Sequence, residues 1–223
     1  MSDGGLVLIG GGEFSFGETE EADRLWLERA PAGPVGFVPA ASGSADYGRH
    51  FADYLREGFR REVEIIPIYR ERDARRGRNS ERIAACAAVY LGGGVADHLV
   101  DALVDSPALE ALRAKVAAGG LVVAIAAAAQ ACGAVIRSLR AGRPAPGLGL
   151  LPGLAIEPNF DPGHDRRLRA LVDSGPALRG LGLPAGAAVR IGADGRFEAS
   201  GDVFTLAGGE ADLVPIVGEG ALS

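Results

Sequence analysis

Three short stretches hold the residues whose types and spacing could do chemistry: Gly10-Gly-Gly-Glu13, Gly92-Gly-Gly94 and the turn that follows Ile125. Each follows an apolar run that reads as a buried strand, and open parallel sheets bind ligands beyond the carboxyl ends of their strands. The third stretch runs from the aliphatics Leu121 to Ile125 through a turn of tiny residues into an alanine-rich segment. That is the local chemistry of a nucleophile elbow, where one residue is held in strained backbone geometry and the positions two before and two after it must be small. Ala124 and Ala128 meet that need around Ala126. The same residues also suit a close-packed strand–helix junction with no chemistry.

The remaining reactive side chains are scattered. His164 stands in Phe160-Asp-Pro-Gly-His164 with Glu157, Asp161 and Asp165 nearby, so it reads either as a base or metal ligand at a pocket rim or as a solvated loop histidine. His98 follows the triple-glycine loop, and His50 falls on the polar side of an amphipathic segment. Three histidines without cysteines or carboxylates at ligand spacing define no metal site. The loop Gly10 to Gly17 lacks Gly-Lys-Ser/Thr and fits neither a dinucleotide fingerprint nor a phosphate loop, so no cofactor is expected. Its Glu13 is a candidate contact for a substrate amine. Ser15 and Ser42 lie on loops after strands, but neither has an evident base. Cys86 and Cys132 fall inside apolar stretches and read as buried, reduced thiols.

The elements that must position these residues follow from hydrophobic periodicity. Strands are predicted at 5–10, 35–39, 63–68, 87–91 and 121–125. Helices are predicted at 19–29, 45–59, 80–85 (with a serine cap), 96–103, 107–118 and 127–140. Repeated strand–helix alternation implies a mostly parallel sheet covered on both faces. Beyond it come a Pro/Gly-rich stretch over 143–151, a short strand at 154–156 and a helix at 165–172. The turn signals Asp194-Gly195 and Ser200-Gly201 then predict hairpins that extend the sheet in antiparallel fashion. With 223 residues, 48% of them hydrophobic, the chain fits one domain over 1–223. The net charge of −6 offers no general attraction for nucleic acid or an anionic membrane. No leader-like opening and no apolar run long enough to span a bilayer is evident, so a soluble cytoplasmic protein is expected.

The order of these segments resembles the dipeptidase E and cyanophycinase family of serine peptidases, over nearly the whole chain. Gly92-Gly-Gly94 after its strand is similar to the family's glycine-rich oxyanion loop. Gly119-Gly-Leu-Val-Val-Ala-Ile-Ala126 stands where the family runs into Gly-x-Ser-Ala-Gly-Ala, so Ala126-Ala-Ala-Ala-Gln130 replaces Ser-Ala-Gly-Ala-Asn. Leu150 to Phe160 is similar to the segment ending in Pro-His-Phe or Gln-His-Phe, and the tail from Leu181 to Gly208-Gly-Glu210 to its closing hairpins. The resemblance implies a three-layer α/β sandwich of the flavodoxin-like, class I glutamine amidotransferase-like type. It also implies a pocket for a small peptide or acidic amino acid, built from Gly93, Gly94, Ala127, Glu13, Gln130, Glu157 and His164, and it admits a homodimer.

The departures from the family fall on the chemistry. The nucleophile position is Ala126 and the base position is Asn159, so neither a covalent acyl intermediate nor a proton shuttle is available there. No Asp or Glu lies between Arg137 and Gly153, and the tail's acidic positions are Pro184 and Ala185. The expectation is an inactive homologue that keeps the pocket. The alternative is a working hydrolase whose serine has been replaced in this chain or displaced.

Overall fold

A computed structural model describes residues 4–175, 178–208 and 211–221. In chain order its elements are β1 (Gly5–Ile9), α1 (Glu20–Leu27), β2 (Val35–Val38), α2 (Ala45–Phe59), β3 (Val63–Ile65), α3 (Glu71–Ala74), α4 (Gly77–Ala85), β4 (Ala88–Leu91), α5 (Ala96–Leu103) and α6 (Pro107–Ala117). They continue with β5 (Leu121–Ile125), α7 (Ala127–Cys132), β6 (Gly133–Arg137), β7 (Pro144–Pro146), β8 (Leu151–Pro158), α8 (Arg166–Val172), β9 (Arg179–Leu183), β10 (Ala188–Ile191), β11 (Arg196–Leu206) and β12 (Leu213–Ala221).

Twelve strands form one sheet in the order β3-β2-β4-β5-β1-β10-β11-β9-β8-β6-β7, with β12 on β11. The first five pair in parallel, as do β6–β8 and β8–β9. Helices cover both faces, and β1 shows why: Val7 and Ile9 join the cluster under α1 and α2 with Trp26 and Phe51, while Leu6 and Leu8 join the opposite cluster with Leu99, Leu103 and Leu112. That two-sided burial is what a continuous aliphatic strand requires. Helix starts follow their caps. Ser44 accepts from the Tyr47 amide, and Ser106, with Pro107 after it, accepts from the Leu109 amide.

The antiparallel pairs made by β10 and β11 join the two parallel groups, while β7 sits antiparallel to β6 at an edge. β9 and β10 are halves of one bent run, and both pair antiparallel with the long β11. β10 also pairs with β1, and β9 with β8. At the bend, Gly10 N–H donates to Ala187 O, and Phe160 N–H donates to Leu183 O. The carboxyl ends of β1 and β8 therefore meet where the sheet changes character.

Several local expectations are corrected. The segment predicted as one helix over 127–140 is a six-residue helix followed by β6: the ladder to β8 claims Gly133 onward, and Val135 and Ile136 are β-branched. Ser80 does not cap its helix, which starts earlier at Gly77. Asp194-Gly195 does turn the hairpin from β10 into β11, but Ser200-Gly201 marks an irregularity within β11, between Ala199 and Val203, and no chain reversal. Gly209 and Glu210 of the tail lie outside the described residues. No helix among the described residues is long and apolar enough to cross a membrane.

Candidate active site

The turn after β5 carries the signature predicted for it. Ala126 sits at φ 51, ψ −118, a conformation L-residues rarely adopt. Its flanks Ala124 and Ala128 are fully buried. Its amide donates to Ile9 O at 2.9 Å, so β1 fixes the turn from below. One residue further along β1, Gly10 O accepts from the Asn159 amide at 2.8 Å. Asn159 is also at positive φ, 48, and its side chain lies over Gly11, where an added Cβ would come within 2.2 Å of Oδ1. Asparagine is among the few residues that tolerate this region.

A cavity of about 220 Å3 opens at this point, lined among others by Gly94, Ala126, Ala127, Gln130, Arg137, Asn159 and Arg167. A wider cleft of about 770 Å3 adjoins it through the shared Asn159 and Arg167, and holds Glu157, Asp161, His164, Asp165 and Arg166. Sequence reasoning thus places Ala126, Ala127, Gly94, Gln130 and Asn159 at one cavity, and Glu157 and His164 in its neighbour.

Two expected contacts are directed elsewhere. Glu13 is exposed and lines neither space; it accepts from the Ser15 amide and hydroxyl as the cap of a short 3-10 turn. Gly93 stands over Ala126, its virtual Cβ 3.7 Å from the alanine methyl, but its backbone also faces the Tyr47 phenol, whose pKa burial pushes up to about 12 with the Gly93 backbone opposing. The amides of Gly94 and Ala127 have no protein acceptor among the described residues.

Two guanidiniums, Arg137 and Arg167, were missed as pocket residues. The helix expected over 127–140 includes Arg137; strand β6 instead brings it to the cavity, because Val135 pairs with Ala155 and Arg137 then faces Glu157 two residues on. The carboxylate of Glu157, 3% exposed, accepts from Gln130 Nε2 at 3.0 Å and Arg137 Nη2 at 3.2 Å. Burial raises the Glu157 pKa, with the Arg137 charge opposing. Gln130 completes the knot by accepting from the Arg137 amide at 3.2 Å.

Among the described residues no hydroxyl, thiol or imidazole lines the cavity at Ala126. Ser42 Oγ donates to Pro39 O, and Ser138, buried beyond β6, donates to Asp97 at 2.5 Å. His164 is exposed and shares a 2.6 Å contact with Asp161 Oδ2. His50 and His98 are exposed. Cys132 is fully buried, its thiol pushed up to about 12 by desolvation, and Cys86 is also buried. Among the described residues no group of three or more His, Cys, Asp or Glu is placed to hold a metal ion.

The family model of peptidase family S51 matches residues 6–198. Cyanophycinases from Synechococcus elongatus and Thermosynechococcus vestitus are each 27% identical over 214 residues, covering 88% of this chain and 66% of the relative. A Nostoc cyanophycinase is 28% identical over 195 residues, 80% of this chain and 64% of the relative. The chain thus spans just under two thirds of the length of the curated relatives it matches. Among solved structures, a peptidase from an acI-B1 actinobacterium superposes with a TM-score of 0.79 at 18% identity, covering 98% of this chain and 97% of that one. A candidate Peptidase E protein from Listeria monocytogenes gives 0.62 at 16% identity, covering 92% and 98%. At these identities the structural likeness speaks for the fold.

Proposed function

The chain belongs to peptidase family S51, and from that premise we propose that it is a pseudopeptidase: a member that keeps the family's elbow and pocket, binds a small acidic peptide or acidic amino acid, and does not hydrolyse it. The observation that carries this reading is the pairing of a retained elbow backbone at Ala126 with a cavity that contains no nucleophile and no base. A methyl cannot form an acyl intermediate, and the Asn159 amide has no protonation change near neutral pH. The hydroxyls of Ser15, Ser42 and Ser138 are turned to other partners, which weighs against any of these as a displaced nucleophile.

An acidic ligand is favoured by charge. The cavity has two arginines and no carboxylate in its lining, in a chain of net charge −6. The unengaged amides of Gly94 and Ala127 add donors for an anion. The relatives are called cyanophycinase and Peptidase E, names consistent with a peptide-sized ligand. The test is a hydrolysis assay of the purified protein on Asp-containing dipeptides beside calorimetric titration with the same compounds. Binding without turnover is expected. Turnover that co-purifies with the protein through successive columns would overturn the reading.

A further inference from the structure

Resting on that reading, we propose that Arg137 is an exchangeable anchor: Glu157 holds it in the empty site, and a ligand carboxylate takes it over on binding. Four observations carry the inference. First, Arg137 reaches both environments, lining the elbow cavity while bonded to the buried Glu157. Second, the bond is a poor one for its type: 3.2 Å, against about 2.7–2.9 Å for a charge-assisted contact. It is also a single contact, so the guanidinium fork is not matched to the carboxylate.

Third, Arg137 Nε is buried with no hydrogen-bond partner, while the side chain as a whole is 41% exposed. An unpaired buried donor is a cost that re-aiming the fork would remove. Fourth, Glu157 can spare the arginine. It keeps Gln130 at 3.0 Å, lies within the field of Arg167, and is already pushed toward its neutral form by burial. Glu157 therefore acts as an internal stand-in for the ligand's carboxylate. It keeps Arg137 pointed at the cavity without satisfying it.

The exchange predicts an unusual sign. A fixed support would weaken binding when mutated, whereas removing a competitor strengthens it. Calorimetry at neutral pH with Asp-Ala, and with Asn-Ala as the probe lacking the acidic side chain, reads this directly. Arg137→Gln should weaken Asp-Ala binding roughly tenfold or more. Glu157→Gln, which keeps a partner for Gln130, should strengthen it several-fold, and the double variant should match Arg137→Gln alone. Asn-Ala should respond less to either change.

Should Glu157→Gln weaken binding as Arg137→Gln does, exchange is wrong and Glu157 is a support. Should Arg137→Gln leave binding unchanged, or should no probe bind the wild type, the anchor itself is wrong. A second readout needs no change at Glu157: the Arg137 Nε–H NMR signal, assigned by its loss in Arg137→Lys, must shift on titration with Asp-Ala. A signal that stays put overturns the proposal. Turnover measured in the same samples would overturn the pseudopeptidase reading while leaving the affinity comparison to judge Arg137.

Discussion

Ala126 and Asn159 hang from adjacent carbonyls of a single strand end, Ala126 from Ile9 at 2.9 Å and Asn159 from Gly10 at 2.8 Å. Both bonds are made by backbone amides, and both residues sit at positive φ. The spacing between the elbow and Asn159 is thus set by β1 and not by the side chains themselves. Side chains at these two points can therefore change without disturbing the turn. The costly geometry belongs to the main chain and is supported by the sheet beneath it.

The strain at Ala126 is itself measurable. Glycine reaches φ 51, ψ −118 without a Cβ penalty, while it loses more freedom on folding. The first effect, about 1–3 kcal/mol, exceeds the second, about 0.5–1 kcal/mol. Ala126→Gly should therefore stabilise the protein by about 1 kcal/mol in denaturant unfolding. A destabilised variant would mean that the turn carries no such strain.

Restoring the nucleophile alone should fail. Ala126→Ser puts a hydroxyl at the elbow, but Asn159 cannot take its proton. Histidine tolerates positive φ better than most residues, so Ala126→Ser with Asn159→His should fold and give slow hydrolysis of an Asp-containing dipeptide. Adding Tyr47→Phe should raise that rate further, because it removes the phenol that faces the Gly93 backbone and leaves its amide as an oxyanion donor. The readout is the time course of released amino acid. Activity in Ala126→Ser alone would show that another base is within reach.

How much of this was legible in the sequence depends on which forces decide each element. Leu121 to Ile125, bounded by glycines and tiny residues, reads as a buried strand and a sharp turn, and of the two readings open there, elbow or plain junction, the positive φ at Ala126 favours the elbow. The helix over 127–140 failed because Ala-rich periodicity favoured it, while pairing with β8 from Gly133 onward decided otherwise. That one error hid Arg137, since a helix would have carried its side chain away from the cavity. β6 and β9 were missed for a related reason: each is set by its ladder to β8, and their short runs have little pattern of their own, while β12 pairs with the adjacent β11 through a run, Leu213 to Ala221, whose Pro and Gly residues break any clean alternation. Glu13 could be placed near the pocket but not aimed, because its capping of the 3-10 turn depends on local hydrogen bonds with no long-range signal.

A buried carboxylate away from the site should govern part of the pH dependence of stability. Asp23 is fully buried and accepts from Thr19 Oγ1 at 2.8 Å, Trp26 Nε1 at 2.9 Å and the Tyr54 hydroxyl at 2.9 Å. Burial raises its pKa, and the three donors offset only part of this. A carboxyl with a raised folded pKa holds more protons when folded. Its contribution is complete below the ordinary carboxylate pKa and is lost as pH rises through the folded value. Asp23→Asn removes that term. The variant should therefore gain relative to wild type as pH climbs from about 4 towards neutrality. Parallel unfolding curves across that range check it, and a constant difference would rule the effect out.

Two adjacent glycines should part company when given the same methyl group. At Gly93 a Cβ would sit 3.7 Å from the Ala126 methyl and from Ile125, ordinary contact with no backbone obstacle. At Gly94 it would lie 2.4 Å from the Ala41 carbonyl carbon and oxygen, on a backbone at φ 147 that L side chains avoid. Gly94→Ala must move main chain against main chain, and should cost on the order of 3 kcal/mol or prevent folding. Gly93→Ala should hold stability within about 1 kcal/mol of wild type. It fills the space in front of the elbow, however, so acidic dipeptide binding should fall even though the fold is intact. Melting curves and calorimetric titrations on the two variants separate these outcomes. A stable Gly93→Ala that still binds at wild-type strength would place the ligand away from Ala126 and towards the wider cleft around His164.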